Sequence, residues 1–351
     1  MDATTVAVDL AKSVFQLAEA DDQWRIVRTH RLTRRQFERF FANRCVRLVI
    51  MEACGSAHHW ARSLAALNIQ VRLLPPRHVR RYVLGNKTDA ADCAALLEAA
   101  RNLQIRPVRV KSVEQQALQA LHRLRSQWMA TRTQRINGLR GFCREFGLAV
   151  PRGARTGLRN IAQLVGDTTS AVPAMLRCEM SATLDEVRML ELRIAQLERD
   201  LAVMARSMPA CQLLMTIPGI GLLTATALVA AVGCDVSHFK DARHFASWFG
   251  LTPKEHSSGT MRRLGRISKA GPRYLRTLLT HGARSVLLSA ARARSSGREC
   301  HGLHHWALAV QRRANHNKAT CALANKLARI CFATLRSQQP FDAQRPCALP
   351  D

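Results

Sequence analysis

The chain opens with short apolar runs and closes with long amphipathic ones. Thr5 to Lys12 is a β-type run carrying a carboxylate, Asp9, near its end, and Ser13 to Ala18 alternates as a second strand. Asp21-Asp22 supplies a turn, and Trp24 to Thr29 reads as a third strand, making a meander. Thr33 with Gln36 three residues later spells a capping box, which predicts a helix with Phe37, Phe40 and Phe41 on its apolar face. Val46 to Glu52 has the continuous apolar character of a buried strand, and it too closes on a carboxylate. Cys54-Gly55-Ser56 breaks it. A helix near His58 to Leu67, a strand from Gln70 to Leu74 and, after Pro75-Pro76, a basic run from Arg77 to Leu84 lead to a last helix that begins near Thr88.

Three strands, a helix, a strand, a helix, a strand and a helix is the order of the ribonuclease-H-like α/β fold, expected over residues 1–108. From Ser112 the pattern changes. Glu114 to Arg144 sets Leu118, Leu121, Leu124, Trp128, Ile136, Leu139 and Phe142 among many arginines, as a helix with one apolar and one cationic face would. Pro151-Arg152-Gly153 ends it. From Ala174 to Met204, residues Leu176, Met180, Thr183, Val187, Leu190, Ile194, Leu197, Leu201 and Met204 follow three-and-four spacing, the seam of a coiled coil. That seam can join two protomers or close an intramolecular hairpin with the preceding helix, and the spacing favours neither. Residues 109–205 are therefore expected to form a helical, coiled-coil connector.

Residues 206–336 are expected to form a mostly helical domain. Ile217-Pro218-Gly219-Ile220-Gly221 ahead of a small-residue helix is the helix-hairpin-helix pattern, in which Gly219 and Gly221 let backbone N–H groups approach a phosphate. Phe249 to Gly271 is punctuated by Gly and Pro as an exposed, ordered loop. Helices follow around Tyr274, over Leu287 to Arg294 and over Trp306 to Leu335. Residues 337–351, rich in Pro and poor in apolar side chains, are expected to be disordered.

Charge narrows the partners. The chain has 351 residues, with 53 Lys+Arg against 25 Asp+Glu, a formal net charge of +28. Such a field attracts polyanions and gives salt-sensitive phosphate affinity, so nucleic acid is the expected partner. No apolar run approaches the roughly 20 residues that span a bilayer, so no membrane role is expected. The first residues lack the basic and apolar regions of a signal peptide, and the eleven cysteines include no C-x-x-C pair; both suit a reducing, cytoplasmic setting.

The chemistry centres on acidic residues. Asp89 and Asp92 stand three apart, on one helical face, just past the basic residues Arg77, Arg80, Arg81 and Lys87, which are candidates for nucleic-acid contact. Alone, the pair reads more readily as a solvated helix start, with Thr88 as N-cap. Asp9 and Glu52, at the ends of neighbouring strands, change that balance. Four carboxylates directed at one point need cations to stay ionised together, and Mg2+ is the expected ion, because two such ions stabilise the attacking and leaving oxygens of a phosphodiester. In the exposed loop, Arg262, Arg263 and Lys269 could fix a phosphate beside Ser258. A serine is a weak nucleophile without activation, and by spacing alone Ser257-Ser258-Gly259 reads as a phosphate-binding turn.

Val8-Asp9-Leu10-Ala11-Lys12, Met51-Glu52-Ala53-Cys54-Gly55 and Asn86-Lys87-Thr88-Asp89-Ala90-Ala91-Asp92 resemble the three blocks of the DEDD insertion-sequence transposases. These are bridge-RNA-guided recombinases whose N-terminal domain is similar to the RuvC Holliday-junction resolvase. The loop around Ser258 and the stretches Asn317-Lys318-Ala319 and Ala324-Asn325-Lys326-Leu327-Ala328 resemble their C-terminal transposase domain. The resemblance implies a DNA recombinase using Asp9, Glu52, Asp89 and Asp92 with Mg2+, and Ser258 as the nucleophile that forms a covalent phosphoserine link to DNA. It further implies target and donor DNA as substrates, a structured guide RNA, and a homodimer or homotetramer formed through the coiled coil. Two alternatives stand beside it: a RuvC-like junction nuclease that uses water, and a non-catalytic nucleic-acid-binding scaffold.

Overall fold

The computed structural model describes residues 4–42, 44–86, 88–300 and 302–343. The chain divides into two compact units after Ser112. The first is mixed α/β. Strands β1 (Thr5–Leu10), β2 (Val14–Ala20), β3 (Ile26–Thr33), β4 (Leu48–Glu52) and β5 (Gln70–Leu74) form one sheet in the order β3-β2-β1-β4-β5. The meander β1–β3 is antiparallel, while β1, β4 and β5 run parallel. The third strand starts two residues later than its sequence pattern suggested. Trp24 has φ 65°, and its N–H donates to Asp21 O in the preceding turn, so it cannot begin the ladder.

The two faces of the sheet are filled differently. One face carries Val6, Val8, Phe15, Leu17, Val49 and Met51 under α1 (Arg34–Phe40) and α2 (Ala57–Ala65). Phe15, Phe37 and Trp60 meet edge to face there at 4.9–5.4 Å, the geometry that aromatic quadrupoles favour. Helix α1 begins with the capping box expected of Thr33 and Gln36. The other face presents Ala7, Ala18, Ala20, Leu48 and Ile50 to α4 (Asp89–Arg101). Alanines on the sheet oppose Ala95, Ala99 and Ala100 on the helix, so backbone comes close to backbone and α4 is seated tightly. Between β5 and α4 lie α3 (Pro76–Val79) and a turn of 3-10 helix over Arg80–Tyr82. The unit extends past residue 108: Val108 bridges to Leu73, and Lys111 is tied to α2 through His58 and Arg62.

The second unit is mostly helical. Helices α5 (Val113–Glu145) and α7 (Ala174–Arg206) pack on each other as a long hairpin, with α6 (Ala154–Gly166), absent from the sequence reading, closing its far end through Ile161. Of the seam positions, Met180, Val187, Leu190, Ile194, Leu197 and Leu201 are buried within the single chain, so the seam serves the intramolecular hairpin. Leu118, Leu197, Leu201 and Ala230 form one cluster at its base. Beyond it come α8 (Pro209–Met215), α9 (Leu222–Val232), α10 (Ala242–Trp248), a hairpin of β6 (Pro253–Glu255) and β7 (Leu264–Ile267), α11 (Arg273–Ser295), α12 (Gly302–Arg313) and α13 (His316–Ser337). After α13, residues 338–343 are not loose: Phe341 packs on the helical core and its N–H donates to Thr216 Oγ1 at 2.8 Å. The remainder of the expected disordered tail, 344–351, lies outside the described residues.

Candidate carboxylate and serine sites

Asp9 and Glu52 reach the same level by strand register. Val8 pairs with Met51 across the parallel β1–β4 ladder, so the next residues on the two strands are Asp9 and Glu52. Side chains alternate along a strand, and Val8 and Met51 face α1 and α2; Asp9 and Glu52 therefore project to the opposite face, the one α4 covers. Helix α4 brings its own acids to that face. Thr88 caps it, its Oγ1 accepting the Ala91 N–H at 3.2 Å, which sets Asp89 and Asp92 in the first turn. One turn after Asp89, buried Cys93 donates to the Gln16 carbonyl at 3.2 Å, and Gln16 is the antiparallel partner of Asp9. Burial pushes the Cys93 thiol up to about 12; a hydrogen bond at the Asp9 backbone opposes the shift, and the charges of Asp9, Asp92 and Asp89 add to it.

All four carboxylates thus gather at one end and one face of the sheet, with Asp9, Glu52 and Asp92 half-buried and Asp89 exposed. Among the described residues, no three His, Cys, Asp or Glu side chains stand close enough to hold one metal ion. The donor set, oxygen only and anionic, suits Mg2+. Its members are grouped but not closed around an ion. Arg77, Arg80 and Arg81 are exposed on the segment leading to α4; Lys87 lies outside the described residues.

The serine loop is a β-hairpin. Glu255 pairs with Leu264, the His256 N–H donates to Arg263 O at 2.9 Å, and Ser258 and Met261 exchange backbone bonds of 3.2 and 3.1 Å around the two-residue turn Gly259-Thr260. Gly259 has φ 54°, which a tight hairpin turn needs at its first central position. Ser257 and Ser258, equivalent by composition, are separated by this register. Ser257 Oγ donates to Glu255 Oε1 at 2.7 Å and accepts the Arg263 N–H at 3.1 Å, whereas the Ser258 hydroxyl is exposed and has no partner among the described residues. Lys269, at φ 54°, shapes the return of the loop, and its carbonyl accepts from Arg276 at 3.1 Å.

The two glycines of the turn between α8 and α9 do different work. Gly219, at φ 85°, lies against α11: a Cβ there would come 2.7 Å from both Gly282 O and Val286 Cγ2. Gly221 is exposed at the N-cap of α9 with nothing within 4 Å of an added Cβ. A further polar cluster centres on His122 of α5. His122 is buried, with Nε2 3.0 Å from Thr226 Oγ1 and Nδ1 3.0 Å from Tyr274 Oη. Thr226 spends its proton on Leu222 O at 2.7 Å, so His122 donates from Nε2 and accepts at Nδ1. A polar residue within an amphipathic helix gives no signal of such a network.

A family of DEDD IS110-type transposases matches residues 6–146, the span that holds all four carboxylates. The transposase family described as IS116/IS110/IS902 matches 211–299, which includes the serine hairpin. A probable family 20 transposase from Pseudomonas aeruginosa is 42% identical over 336 residues, covering 95% of this chain and 97% of the relative. The chain belongs to the IS110 family of transposases. The transposase for insertion sequence element IS1111A of Coxiella burnetii is 36% identical, covering 97% of this chain and 92% of that one. A pilin gene-inverting protein of Moraxella bovis is 31% identical over 167 residues, 46% of this chain. This transposase is accordingly an enzyme of DNA transposition, which cuts and rejoins DNA. Among the described residues, no helix is long and apolar enough to cross a membrane.

Proposed function

We propose that this transposase cuts and rejoins DNA through a covalent serine–DNA intermediate, with Ser258 as nucleophile, and that its first unit is a ribonuclease-H-like, RuvC-like domain. The observation that carries the reading is the split within Ser257-Ser258: one hydroxyl is committed to holding the hairpin, and its neighbour is left unpartnered and exposed at the tip. Asp9, Glu52, Asp89 and Asp92 are the residues to hold Mg2+, which when bound would neutralise charge on phosphodiester oxygens. Ser258 Oγ attacks phosphorus, the 3′ oxygen departs, and attack by a 3′ hydroxyl on the phosphoserine rejoins the strands. The reaction needs both the serine and the carboxylates. Target and donor DNA are the substrates, an element-encoded structured RNA is the guide, and the setting is cytoplasmic.

Self-association belongs to the same proposal, on a stripe other than the internal seam. Met189, Leu192 and Val203 of α7 are 52%, 62% and 65% exposed, and since Leu192 follows Met189 by three residues and Val203 follows Leu192 by eleven, three helical turns, they share the outer side of the helix. A second copy of the chain laid along that stripe would form the homodimer, and pairs of dimers a homotetramer.

Denaturing gels test the chemistry. Wild-type protein should leave a protein–DNA adduct that survives denaturant, Ser258→Ala should leave none, and Ser257→Ala should leave some. Strand cleavage that persists in Ser258→Ala would mean a water nucleophile and end the proposal. Asp9→Asn and Asp89→Asn should each abolish cleavage without abolishing DNA binding.

A further inference from the structure

The serine hairpin has two unlike faces. With Glu255 opposite Leu264, His256 opposite Arg263 and Ser258 opposite Met261, alternation puts Lys254, His256, Ser258, Met261, Arg263 and Gly265 on one side. Glu255, Ser257, Arg262 and Leu264 take the other. The second face is closed on itself: Ser257 bonds Glu255, and Arg262 Nε stands 3.6 Å from the same Glu255 oxygen. The first face is open. It contains no carboxylate, and among the described residues the side chains of His256, Ser258 and Arg263 have no hydrogen-bond or ion-pair partner. An added Cβ on Gly265 would come 3.8 Å from His256 Cδ2, so the imidazole lies along β7 over the one residue of that strand without a side chain.

We propose that His256 takes the proton from the Ser258 hydroxyl, and that Arg263, rather than Arg262, holds the phosphate under attack; both roles rest on Ser258 being the nucleophile. Residues two apart on a strand are about 6.6 Å apart along the chain, so a rotation of the imidazole brings a ring nitrogen to the hydroxyl directly or through one water. Imidazole is the usual side chain for this transfer. A guanidinium fits two phosphate oxygens at once, and Arg263 has no local acid to neutralise it, whereas Glu255 stands beside Arg262. In the step itself the Oγ–P bond forms and the P–O3′ bond breaks. The serine proton goes to His256, and the departing 3′ oxygen takes a proton from water. On rejoining, the 3′ hydroxyl attacks phosphorus and returns its proton to solvent, the O3′–P bond re-forms, and Ser258 Oγ leaves and recovers its proton from the imidazolium.

The test is single-turnover adduct formation by the full chain with Mg2+, the RNA transcribed from the element's flanks, and a labelled duplex carrying the element's joined ends. The wild-type rate should climb with pH to a plateau as the base loses its proton. His256→Ala and His256→Gln should form adduct about a hundredfold or more slowly, lose that pH step, and recover in part with added imidazole. Arg263→Ala should also fall about a hundredfold, and Arg262→Ala by no more than about threefold at a hairpin contact of this exposure. A His256→Ala protein with the wild-type rate and pH profile would overturn the assignment. So would full recovery of His256→Ala on DNA with sulfur in place of the departing 3′ oxygen, because His256 would then serve the leaving group. If wild type forms no adduct at all while cutting DNA, the serine reading itself fails.

Discussion

At the scale of single residues, the structure separates side chains that composition makes look alike. Gly219→Ala places a methyl against Gly282 and Val286 at a positive φ and should cost about 2 kcal/mol or more in urea unfolding. Gly221→Ala meets nothing and should stay within about 0.5 kcal/mol. If Gly221→Ala also binds DNA as wild type does, any phosphate contact there comes from backbone alone. His122 gives a prediction in pH. Burial, helped by the Arg125 charge, lowers its pKa from 6.5 to about 4, so the folded chain keeps it neutral where the unfolded chain takes up a proton. Its contribution to stability is intact above pH 6.5 and is lost as pH falls from there toward 4. At about 1.4 kcal/mol per unit, the loss is on the order of 3 kcal/mol. His122→Gln, which does not titrate, should flatten that part of the pH dependence relative to wild type in paired urea titrations.

At the scale of elements, α7 shows how one helix can carry two stripes with separate uses. Leu201, fully buried with Leu118 and Leu197, belongs to the hairpin interior, and Leu201→Ala should lower unfolding stability by about 2–5 kcal/mol. Leu192 is on the outer stripe, and Leu192→Ala should leave stability within about 0.5 kcal/mol while weakening self-association in sedimentation equilibrium. Unchanged association in both Leu192→Ala and Val203→Ala would remove the outer stripe as a dimer surface. Heptad spacing was legible in the sequence, but the partner was not. Spacing states that a stripe will be covered, and only the turn through α6 decides that the cover is α5. The β6–β7 hairpin was harder still, because its strands are short and exposed and carry no apolar alternation.

At the scale of the whole molecule, charge sets the conditions under which the chemistry is seen. With a formal net charge of +28, affinity for DNA should fall steeply with salt, by about 10³ or more between 50 and 200 mM if six or more phosphates are contacted. Arg80→Ala and Arg81→Ala, on the exposed approach to α4, should each reduce the slope of log affinity against log salt by about one. Ser258→Ala should leave that slope unchanged, since it removes a hydroxyl and no charge.

Local rules carried much of this protein. Short apolar runs and, for β2, alternation gave β1, β2, β4 and β5, the capping residues Thr33 and Thr88 gave the starts of α1 and α4, and the two strand-end acids with Asp89 and Asp92 were visible as motifs, since each depends on residues close in the chain. What needed the tertiary structure was direction. Parallel register levels Asp9 with Glu52, α4 packing sets two more acids over the same face, and hairpin register turns Ser258 away from Ser257. Those relations join residues tens of positions apart or depend on which side of a strand faces out, and a one-residue slip would reverse them while leaving every local pattern intact.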